Sequence, residues 1–302
     1  MKTKTLICVL GPTAIGKTAL GIKIAQQLNT EIISADSRQL YKEISIGTAK
    51  PSEAELAAVK HHFINSHSIT DIVNVGLYEK QALQIIENLL KKNHTVVMVG
   101  GSGLYIKAVL EGFDELPTVT PTIRNQLNHE LQQSGIAKLQ HELQQHDPNY
   151  FHKIDTQNPQ RIIRALEVIR STGNTFSSYQ SNKKNERSFK ILKIGLNTTR
   201  EKLYQRINER VDVMMQNGLL AEVKSAQAYK HLNALQTVGY CELFDYLDGK
   251  TSLKTAVELI KQNTRRFAKR QLTWFRRDDN IHWCDIENEN QIIKFVLNNF
   301  II

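Results

Sequence analysis

The segment Thr5-Leu-Ile-Cys-Val-Leu10, followed by Gly11-Pro-Thr-Ala-Ile-Gly16-Lys17-Thr18, decides the fold of this 302-residue chain. Its first part has the apolar character and the length of a buried strand. Its second part satisfies the pattern Gly-x-x-x-x-Gly-Lys-Ser/Thr, and a helix is expected to follow as far as about Leu28. This order of strand, turn and helix is typical of a phosphate-binding loop. The alternative is a glycine-rich turn that carries a lysine by chance.

The predicted loop supplies several groups to an anion. Its glycines let backbone N–H groups surround phosphate oxygens, and the N-terminus of the next helix adds partial positive charge. Lys17 can reach the outer phosphates, and the Thr18 hydroxyl can hold Mg²⁺. The residues predicted to bind phosphate are Gly11, Pro12, Thr13, Ala14, Ile15, Gly16, Lys17 and Thr18. The pattern does not identify the phosphate compound.

Further short apolar runs indicate a parallel sheet. Glu31–Ala35, Thr95–Val99 and Lys190–Leu196 have the length and composition of strands, and helices are expected at Tyr78–Leu90 and Leu104–Leu110. Strands that alternate with helices predict βαβ units. The predicted fold class is therefore α/β, a P-loop NTPase-like core with a parallel sheet and a mainly helical insertion.

The insertion is marked by a change in composition. Leu116–Pro121 resembles a linker, and Thr122–Arg170 is helical in pattern and rich in Gln and His. A strand and long helices are expected after it. We therefore predict a core of residues 1–114 and 186–302, interrupted by a helical insertion at 115–185.

Two predicted helices carry exposed positive charge. Asn158 before a proline predicts the start of one helix, which Gly173 ends, and Arg161 and Arg164 share a face of it. That face could contact a polyanion or simply be solvated. In a later helix, a seven-residue apolar stripe is predicted to be core and to be flanked by cations that face phosphates. The stripe is Ile260, Phe267 and Trp274, and the cations are Arg265, Arg266, Lys269 and Arg270.

Composition sets broad limits on function. The chain has 39 Lys+Arg and 30 Asp+Glu, a formal net charge of +9, and 41% hydrophobic residues, which excludes global disorder. No apolar run approaches the roughly 18 residues of a membrane span, and the cysteines fit neither a disulfide framework nor a zinc site. We therefore expect a cytoplasmic protein. Basic clusters at Lys183–Lys193 and Lys261–Arg277 suit a polyanion, but proteins that bind none also carry such clusters.

Two polar residues follow predicted strands. Asp36 comes directly after the second strand, and Ser102 lies in Gly100-Gly-Ser-Gly103 after the third. The carboxyl ends of parallel strands line one crevice, so both residues should lie near the P-loop. Asp36 could accept a proton from a nucleophile, and Ser102 could donate to a phosphate or bridging oxygen. Either residue could instead cap a turn or helix.

Several classes of P-loop protein are disfavoured. The chain has no Asn-Lys-x-Asp segment for guanine, and no apolar strand ends in an Asp-Glu pair as ATP-driven motors require. Its ten histidines lack metal-ligand spacing.

The combination of motifs resembles the tRNA dimethylallyltransferases (tRNA isopentenyltransferases) of the bacterial type. The matching blocks run in order along the chain. They are Gly11–Thr18, Asp36-Ser-Arg-Gln-Leu-Tyr41, Gly47-Thr-Ala-Lys-Pro51, Gly100-Gly-Ser-Gly-Leu-Tyr105, Asn158–Val168, Arg206–Asp212, Val238-Gly-Tyr240 and Thr264–Arg276.

The resemblance implies a reaction. A dimethylallyl group would pass from its pyrophosphate to N6 of adenosine 37 in tRNAs that read codons beginning with U, with Mg²⁺ present. The P-loop would hold the leaving pyrophosphate, which Arg210 would face. Asp36 would be the general base on the N6 amino group. Ser102, which replaces a more usual threonine, would bond the bridging oxygen.

The resemblance also implies contacts with the anticodon stem-loop of tRNA. The implied contact residues are Asp36, Ser37, Arg38, Gln39, Ser102, Arg124, Gln160, Arg161, Ile162, Ile163 and Arg164. Cys241 stands where the family usually has a basic residue, which puts one phosphate contact in doubt. A monomer is expected.

Two alternatives share the P-loop. A kinase of a nucleoside or small metabolite would also use Asp36, but it would not explain the helical insertion or the basic helix. An RNA-binding module that uses a nucleotide only as a switch would need no transfer chemistry.

Overall fold

The computed structural model describes residues 3–114, 116–180 and 185–299. The chain folds into two compact units. The first contains the residues up to Glu111 and those from Glu186 onward, and the second is Gly112–Asn185.

The sheet lies in the first unit. In the described part of the chain it has six strands, β1 (Thr5–Leu10), β2 (Ile32–Ala35), β3 (His61–His62), β4 (Thr95–Gly100), β5 (Lys190–Asn197) and β6 (His282–Asp285). Their order is β3-β2-β4-β1-β5-β6, and all neighbouring strands are parallel. The predicted α/β class with a parallel sheet is confirmed.

Helices surround the sheet and form the second unit. Within the described residues they are α1 (Lys17–Gln27), α2 (Glu53–Ala58), α3 (Val75–Lys92), α4 (Gly103–Glu111), α5 (Pro121–Ser134), α6 (Ile136–His146), α7 (Pro148–Phe151), α8 (Pro159–Thr172), α9 (Arg200–Gln216), α10 (Leu219–Ser225), α11 (Tyr240–Leu247), α12 (Leu253–Phe275) and α13 (Glu289–Asn298). Short 3₁₀ helices lie at Phe176–Tyr179, Gln227–Tyr229, Asn233–Leu235 and Ile286–Asn288. None of the helices in the described ranges is both long and apolar enough to cross a membrane.

Strand β1 is the centre of the fold because both of its faces are covered. Its residues Leu6 to Leu10 are at most 1% exposed. Leu6 and Cys8 belong to one apolar core, whereas Ile7 and Val9 belong to the other, as alternation along a strand requires. A strand buried on both faces needs a continuous apolar run, which is the pattern that the sequence shows.

The register of the sheet brings three strand ends together. Leu10 of β1 lies opposite Gly100 of β4, which in turn lies opposite Ala35 of β2. A Cβ atom on Gly100 would stand 2.2 Å from the carbonyl oxygen of Ala35, so only glycine permits this approach. The segments that follow these strands therefore start at the same edge of the sheet.

The second unit is an all-helical bundle, α5 to α8, within its described residues. Its core includes Leu127, Leu139 and Leu143, none of which is exposed. The side chain of Asn158 accepts a hydrogen bond from an N–H of the first turn of α8, and Gly173 ends the helix in a left-handed conformation. The predicted start and end of this helix are confirmed.

Candidate functional site

The loop between β1 and α1 has the backbone that its glycines allow. Gly11 has φ 148°, and Gly16 has φ 104° immediately before α1. Ala14 also lies in the left-handed region, at φ 64°, a strained conformation for a residue with a side chain. Gly16 caps α1 without a side chain, so no side-chain oxygen of the cap residue competes with an anion for the first N–H groups of this helix.

A cavity of about 310 Å³ opens at the carboxyl edge of the sheet. It is bounded by the P-loop, the ends of β2 and β4, and helices α9 and α12. Its lining includes Thr13, Lys17, Thr18, Asp36, Gln39, Arg210, Phe267 and Gln271. Asp36 thus faces the same cavity as the P-loop, as the strand order predicted.

Lys17 lies inside the loop. Its Nζ donates a hydrogen bond to the carbonyl oxygen of Pro12 at 2.7 Å. Desolvation lowers the pKa of Lys17 to about 7, Asp36 opposes this shift, and Arg210 adds to it. The negative charge of Asp36 therefore offsets only part of the cost of burying the charged form of Lys17.

Arg210 reaches the loop from α9. Its Nη1 donates to the Thr13 hydroxyl at 3.3 Å. Desolvation lowers the pKa of Arg210, with Asp36 acting in the opposite direction. Lys17 and Arg210 thus lie near Asp36, while the second carboxylate of the cavity lining, Glu55, is hydrogen-bonded to Ser52 at the start of α2. The two basic side chains favour an anionic ligand beside the P-loop.

Asp36 is held by the turn that follows β2. Its Oδ1 accepts hydrogen bonds from the backbone N–H of Arg38 at 2.9 Å and of Gln39 at 3.3 Å. The capping role foreseen for Asp36 and its place in the cavity therefore coexist. Among the described residues, Oδ2 accepts no hydrogen bond, which leaves it available to a ligand.

The residues after Asp36 are also fixed. The Gln39 side chain donates to the carbonyls of Thr48 and Ala49 at 3.2 and 3.0 Å, which holds the following loop against the cavity. Arg38 donates to the carbonyl of Asn233 at 2.8 Å.

Ser102 joins the ends of β2 and β4. Its hydroxyl accepts from the Ser37 N–H at 2.9 Å and lies 3.3 Å from the Ser37 hydroxyl, to which it donates. The cavity lining of the described chain does not include Ser102. In this structure its hydroxyl therefore orders the Asp36 turn.

Gln271 was not predicted as a site residue. It is 8% exposed, and its Oε1 accepts from the Thr13 N–H at 2.8 Å while its Nε2 donates to the Gly101 carbonyl at 2.9 Å. It thus ties the P-loop to the segment after β4. The match at Thr264–Arg276 was the available signal, but a sequence does not show that this glutamine points at the P-loop.

The prediction that the apolar stripe of α12 belongs to the core was wrong for two of its three residues. Ile260 is buried, but Phe267 and Trp274 are each 38% exposed. Phe267 and Trp274 each precede a buried residue, Ala268 and Phe275, by one position, and adjacent positions on a helix point in different directions. The residues of α12 that are buried are Ala256, Ile260, Ala268, Gln271 and Phe275. Phe267 lines the cavity instead of the core.

Several cations of the basic segments have partners within the protein. Arg265 donates to Asn208 at 2.6 Å, and Lys261 pairs with Asp212 at 2.7 Å. The Arg270 guanidinium lies 5.7 Å from the centre of the Phe267 ring. Charge runs in the sequence therefore overstate the number of free cations.

The other basic cluster contributes to packing. Arg187 pairs with Glu79 at 2.8 Å and donates to the carbonyl of Val109, while Lys193 pairs with Asp278 at 2.6 Å. Lys183 and Lys184 lie outside the described residues.

The second unit brings together three of the residues implied to contact tRNA. Arg124 donates to the Gln160 side chain at 3.0 Å, and both Arg124 and Arg164 pair with Glu167 at 3.1 Å. Arg161 is exposed on the same helix.

Ile162 and Ile163 are different. Both side chains are 0% exposed in the core of the second unit. Their side chains belong to the core of this unit, so the implied contact of these two residues with tRNA would fall to their main chain and stays a prediction. Adjacent positions on a helix point in different directions, so a side-chain contact assigned to a run of residues holds only for its outward members.

Cys241 lies in the first turn of α11. Its Sγ is 3.8 Å from the Gln236 side-chain oxygen, and burial raises the pKa of its thiol. A neutral thiol cannot replace a basic residue as a partner for phosphate. The expected change in this one phosphate contact stays a prediction.

These features define the class of protein. A P-loop after a central parallel strand, with a second helical unit inserted in the chain, places this protein among the P-loop α/β proteins. The sequence model of the family described as IPP transferase matches residues 39–278.

Relatives of known name agree. The chain is 54% identical to the tRNA dimethylallyltransferase of Christiangramia forsetii over 96% of this chain and 97% of the relative. It is 50% identical to the enzyme of the same name from Flavobacterium johnsoniae, over 98% of each chain. Of solved structures, the tRNA isopentenylpyrophosphate transferase of Bacillus halodurans is 34% identical with a TM-score of 0.72, covering 98% of this chain and 97% of that one.

A eukaryotic dimethylallyltransferase acting on tRNA is also similar, with 26% identity and a TM-score of 0.75 over 94% of this chain and 74% of that one. The chain belongs to the tRNA dimethylallyltransferase family. The predicted resemblance and the predicted class of enzyme, a prenyltransferase, are confirmed.

Proposed function

We propose that this chain transfers a dimethylallyl group from dimethylallyl pyrophosphate to N6 of adenosine 37 in tRNAs that read codons beginning with U. The observation that carries the proposal is the common cavity that brings the P-loop with Lys17, Arg210 and Asp36 together. The names of the relatives supply the substrate class.

The P-loop side of the cavity suits the leaving group. As the bond between the allylic carbon and the bridging oxygen breaks, negative charge develops on pyrophosphate. Lys17, Arg210 and the first N–H groups of α1 would stabilise this charge inside a partly desolvated site. Pyrophosphate, and not ATP, would then be the compound in the loop. Ser102 would act through Ser37, or would reach the bridging oxygen after a change of rotamer.

Asp36 has the geometry of a general base. Its Oδ1 is held by two backbone N–H groups and the residue lines the cavity, so Oδ2 would be the oxygen that meets the substrate. The N6 nitrogen would form the new bond to the allylic carbon, and its proton would pass to Asp36. One bond to carbon is broken, one is formed, and one proton is transferred.

Mg²⁺ fits this donor set. The ion prefers oxygen ligands and commonly takes few protein ligands together with substrate phosphates and water. The Thr18 hydroxyl lines the cavity beside Lys17, and no group of three His, Cys, Asp or Glu able to hold a metal occurs in the described ranges. Thr18 would therefore hold Mg²⁺ jointly with pyrophosphate, and the bound ion would neutralise phosphate charge.

The apolar part of the cavity suits the prenyl group. Phe267, Val99 and Pro51 line it together with the charged residues. The partly exposed ring of Phe267 would pack against the hydrocarbon chain of the prenyl group, and both would lose apolar surface to water.

The second unit would bind the anticodon stem-loop through Arg124, Gln160, Arg161 and Arg164. In the first unit, Ser37, Arg38 and Gln39 would contact the same RNA beside Asp36. The enzyme would work as a cytoplasmic monomer.

Mass spectrometry tests the proposal. The protein would be incubated with dimethylallyl pyrophosphate, Mg²⁺ and an anticodon stem-loop that contains adenosines 36 and 37. We expect the RNA to gain one dimethylallyl group in exchange for one hydrogen, at adenosine 37. Phosphorylation of a small molecule, or ATP turnover without prenyl transfer, would contradict it in favour of the kinase or the nucleotide switch.

A further inference from the structure

Glu167 is a buried charge in the second unit. Its side chain is 2% exposed, although it belongs to the helix that carries Arg161 and Arg164. Oε1 pairs with Arg124 Nη1, and Oε2 accepts a hydrogen bond from Arg164 Nη1, both at 3.1 Å. A buried carboxylate is costly unless it is paired, so these two contacts explain why it is tolerated.

The two arginines are far more exposed than the carboxylate. The exposed fractions are 48% for Arg124 and 37% for Arg164. Each guanidinium has five N–H donors, and the contacts with Glu167 and Gln160 use only part of them. One carboxylate beneath the surface therefore holds two outward guanidinium groups that keep free donors.

A second arginine cluster in the same unit shows the opposite arrangement. Arg170 lies between Glu130 and Glu142 and donates four hydrogen bonds to them, at 2.6 to 3.0 Å. There, two carboxylates enclose one arginine and use donors on all three of its nitrogens. This is the pattern of a structural ion pair. Around Glu167 the ratio is reversed, and within the described residues the two arginines share this one acidic partner.

We propose that Glu167 is a positioning residue for RNA binding. It holds Arg124 and Arg164 side by side, at a spacing that two mutually repelling cations would not keep alone, so that their free N–H groups face phosphate or base oxygens. The inference rests on the proposed tRNA substrate and names a residue of that binding face.

The direction of the change in RNA affinity distinguishes a positioning role of Glu167 from a simple effect of net charge. Glu167→Gln removes a negative charge and would tighten RNA binding if only the net charge mattered. If Glu167 positions the arginines, the same variant binds the anticodon stem-loop about tenfold more weakly. Glu167→Asp keeps the charge but is too short to reach both guanidinium groups, and we expect a similar loss.

Fluorescence anisotropy with labelled stem-loop would measure these affinities between low and moderate salt. Glu142→Gln, which removes one of the two carboxylates paired with Arg170, is the matched control and is expected to bind like the wild type. Circular dichroism would establish that each variant is folded. If Glu167→Gln does not fold, Glu167→Asp takes its place in the comparison. Unchanged or tighter binding by a folded Glu167 variant would overturn the inference. Failure of the wild type itself to bind would instead overturn the proposed substrate.

Discussion

The cavity of the first unit and the Glu167 arginine pair of the second use positive charge in opposite ways. Lys17 and Arg210 are desolvated, and desolvation lowers the pKa of both. Arg124 and Arg164 are half-exposed over a buried carboxylate. A desolvated cation gains most when an anion arrives, which suits charge that develops during a reaction. An exposed pair binds weakly at each contact and is screened by salt, which suits recognition of a long polyanion.

The largest effect is expected at Asp36 in the cavity. Asp36→Asn keeps the shape of the side chain but cannot accept a proton, so prenyl transfer should slow by about 10²–10⁴-fold. Affinity for the stem-loop should stay within a few-fold, because the RNA contacts proposed for the second unit are unchanged. Single-turnover transfer and anisotropy would measure both. Wild-type rates in this variant would remove the general-base role.

The next prediction concerns protonation of Lys17. Its ordinary pKa of 10.5 is lowered to about 7 in the ligand-free protein, so Lys17 is mostly neutral at pH 8. Pyrophosphate favours the charged form, and binding at pH 8 should take up about one proton more in the wild type than in Lys17→Arg, which is always charged. Calorimetry in two buffers with different heats of ionisation measures this difference. Equal uptake by the two proteins would show that Lys17 is already charged.

The same shift has a consequence for stability. Between pH 7 and 10.5 the unfolded chain binds one more proton at Lys17 than the folded chain does. The contribution of Lys17 to the free energy of unfolding therefore rises with pH across this window. Comparison of chemical unfolding of wild type and Lys17→Met over this range tests it, and parallel curves for the two proteins would contradict it.

A smaller effect is expected at the link between the P-loop and β4. Gln271→Ala leaves the Thr13 N–H and the Gly101 carbonyl without this partner, and the KM for dimethylallyl pyrophosphate should rise about tenfold. Gln205→Ala, on the exposed side of α9, is the matched control. If both variants have the wild-type KM, Gln271 does not order the loop.

The smallest effect is expected at Arg161, an exposed cation of the second unit. Arg161→Ala should weaken stem-loop binding a few-fold and reduce the slope of log affinity against log salt by about 1. Lys138→Ala is a control, since Lys138 pairs with Glu130 in the same unit at 3.6 Å. A slope that Arg161→Ala leaves unchanged would point to stacking or packing instead of a phosphate contact.

Local patterns predicted most of the fold. β1, β4 and β5 are apolar runs, and α8 has an explicit start at Asn158 and end at Gly173. Strands β3 and β6 were missed because they are short edge strands without an apolar run, as His61–His62 shows. Helix α13 was not predicted, although Ile292, Ile293 and Val296 have helical spacing.

The candidate site could be predicted only for residues that directly follow strands, because the order of the strands brings those residues together. Asp36 and the P-loop follow strands, so their meeting at one edge could be foreseen. Gln271 and Phe267 come from a distant helix, and which face of α12 points at the cavity depends on tertiary packing. Ile162 and Ile163 show the same limit, because resemblance marked a run of residues whose burial only the fold determines.

The most direct test of the account is the mass of an anticodon stem-loop after reaction with dimethylallyl pyrophosphate and Mg²⁺, run in parallel with wild type and Asp36→Asn. The account predicts one added dimethylallyl group on adenosine 37 with the wild type and almost none with the variant. The same stem-loop with inosine at position 37, which lacks the N6 amino group, should stay unmodified. Modification of the inosine RNA, or none of the adenosine RNA by the wild type, would contradict the central claim.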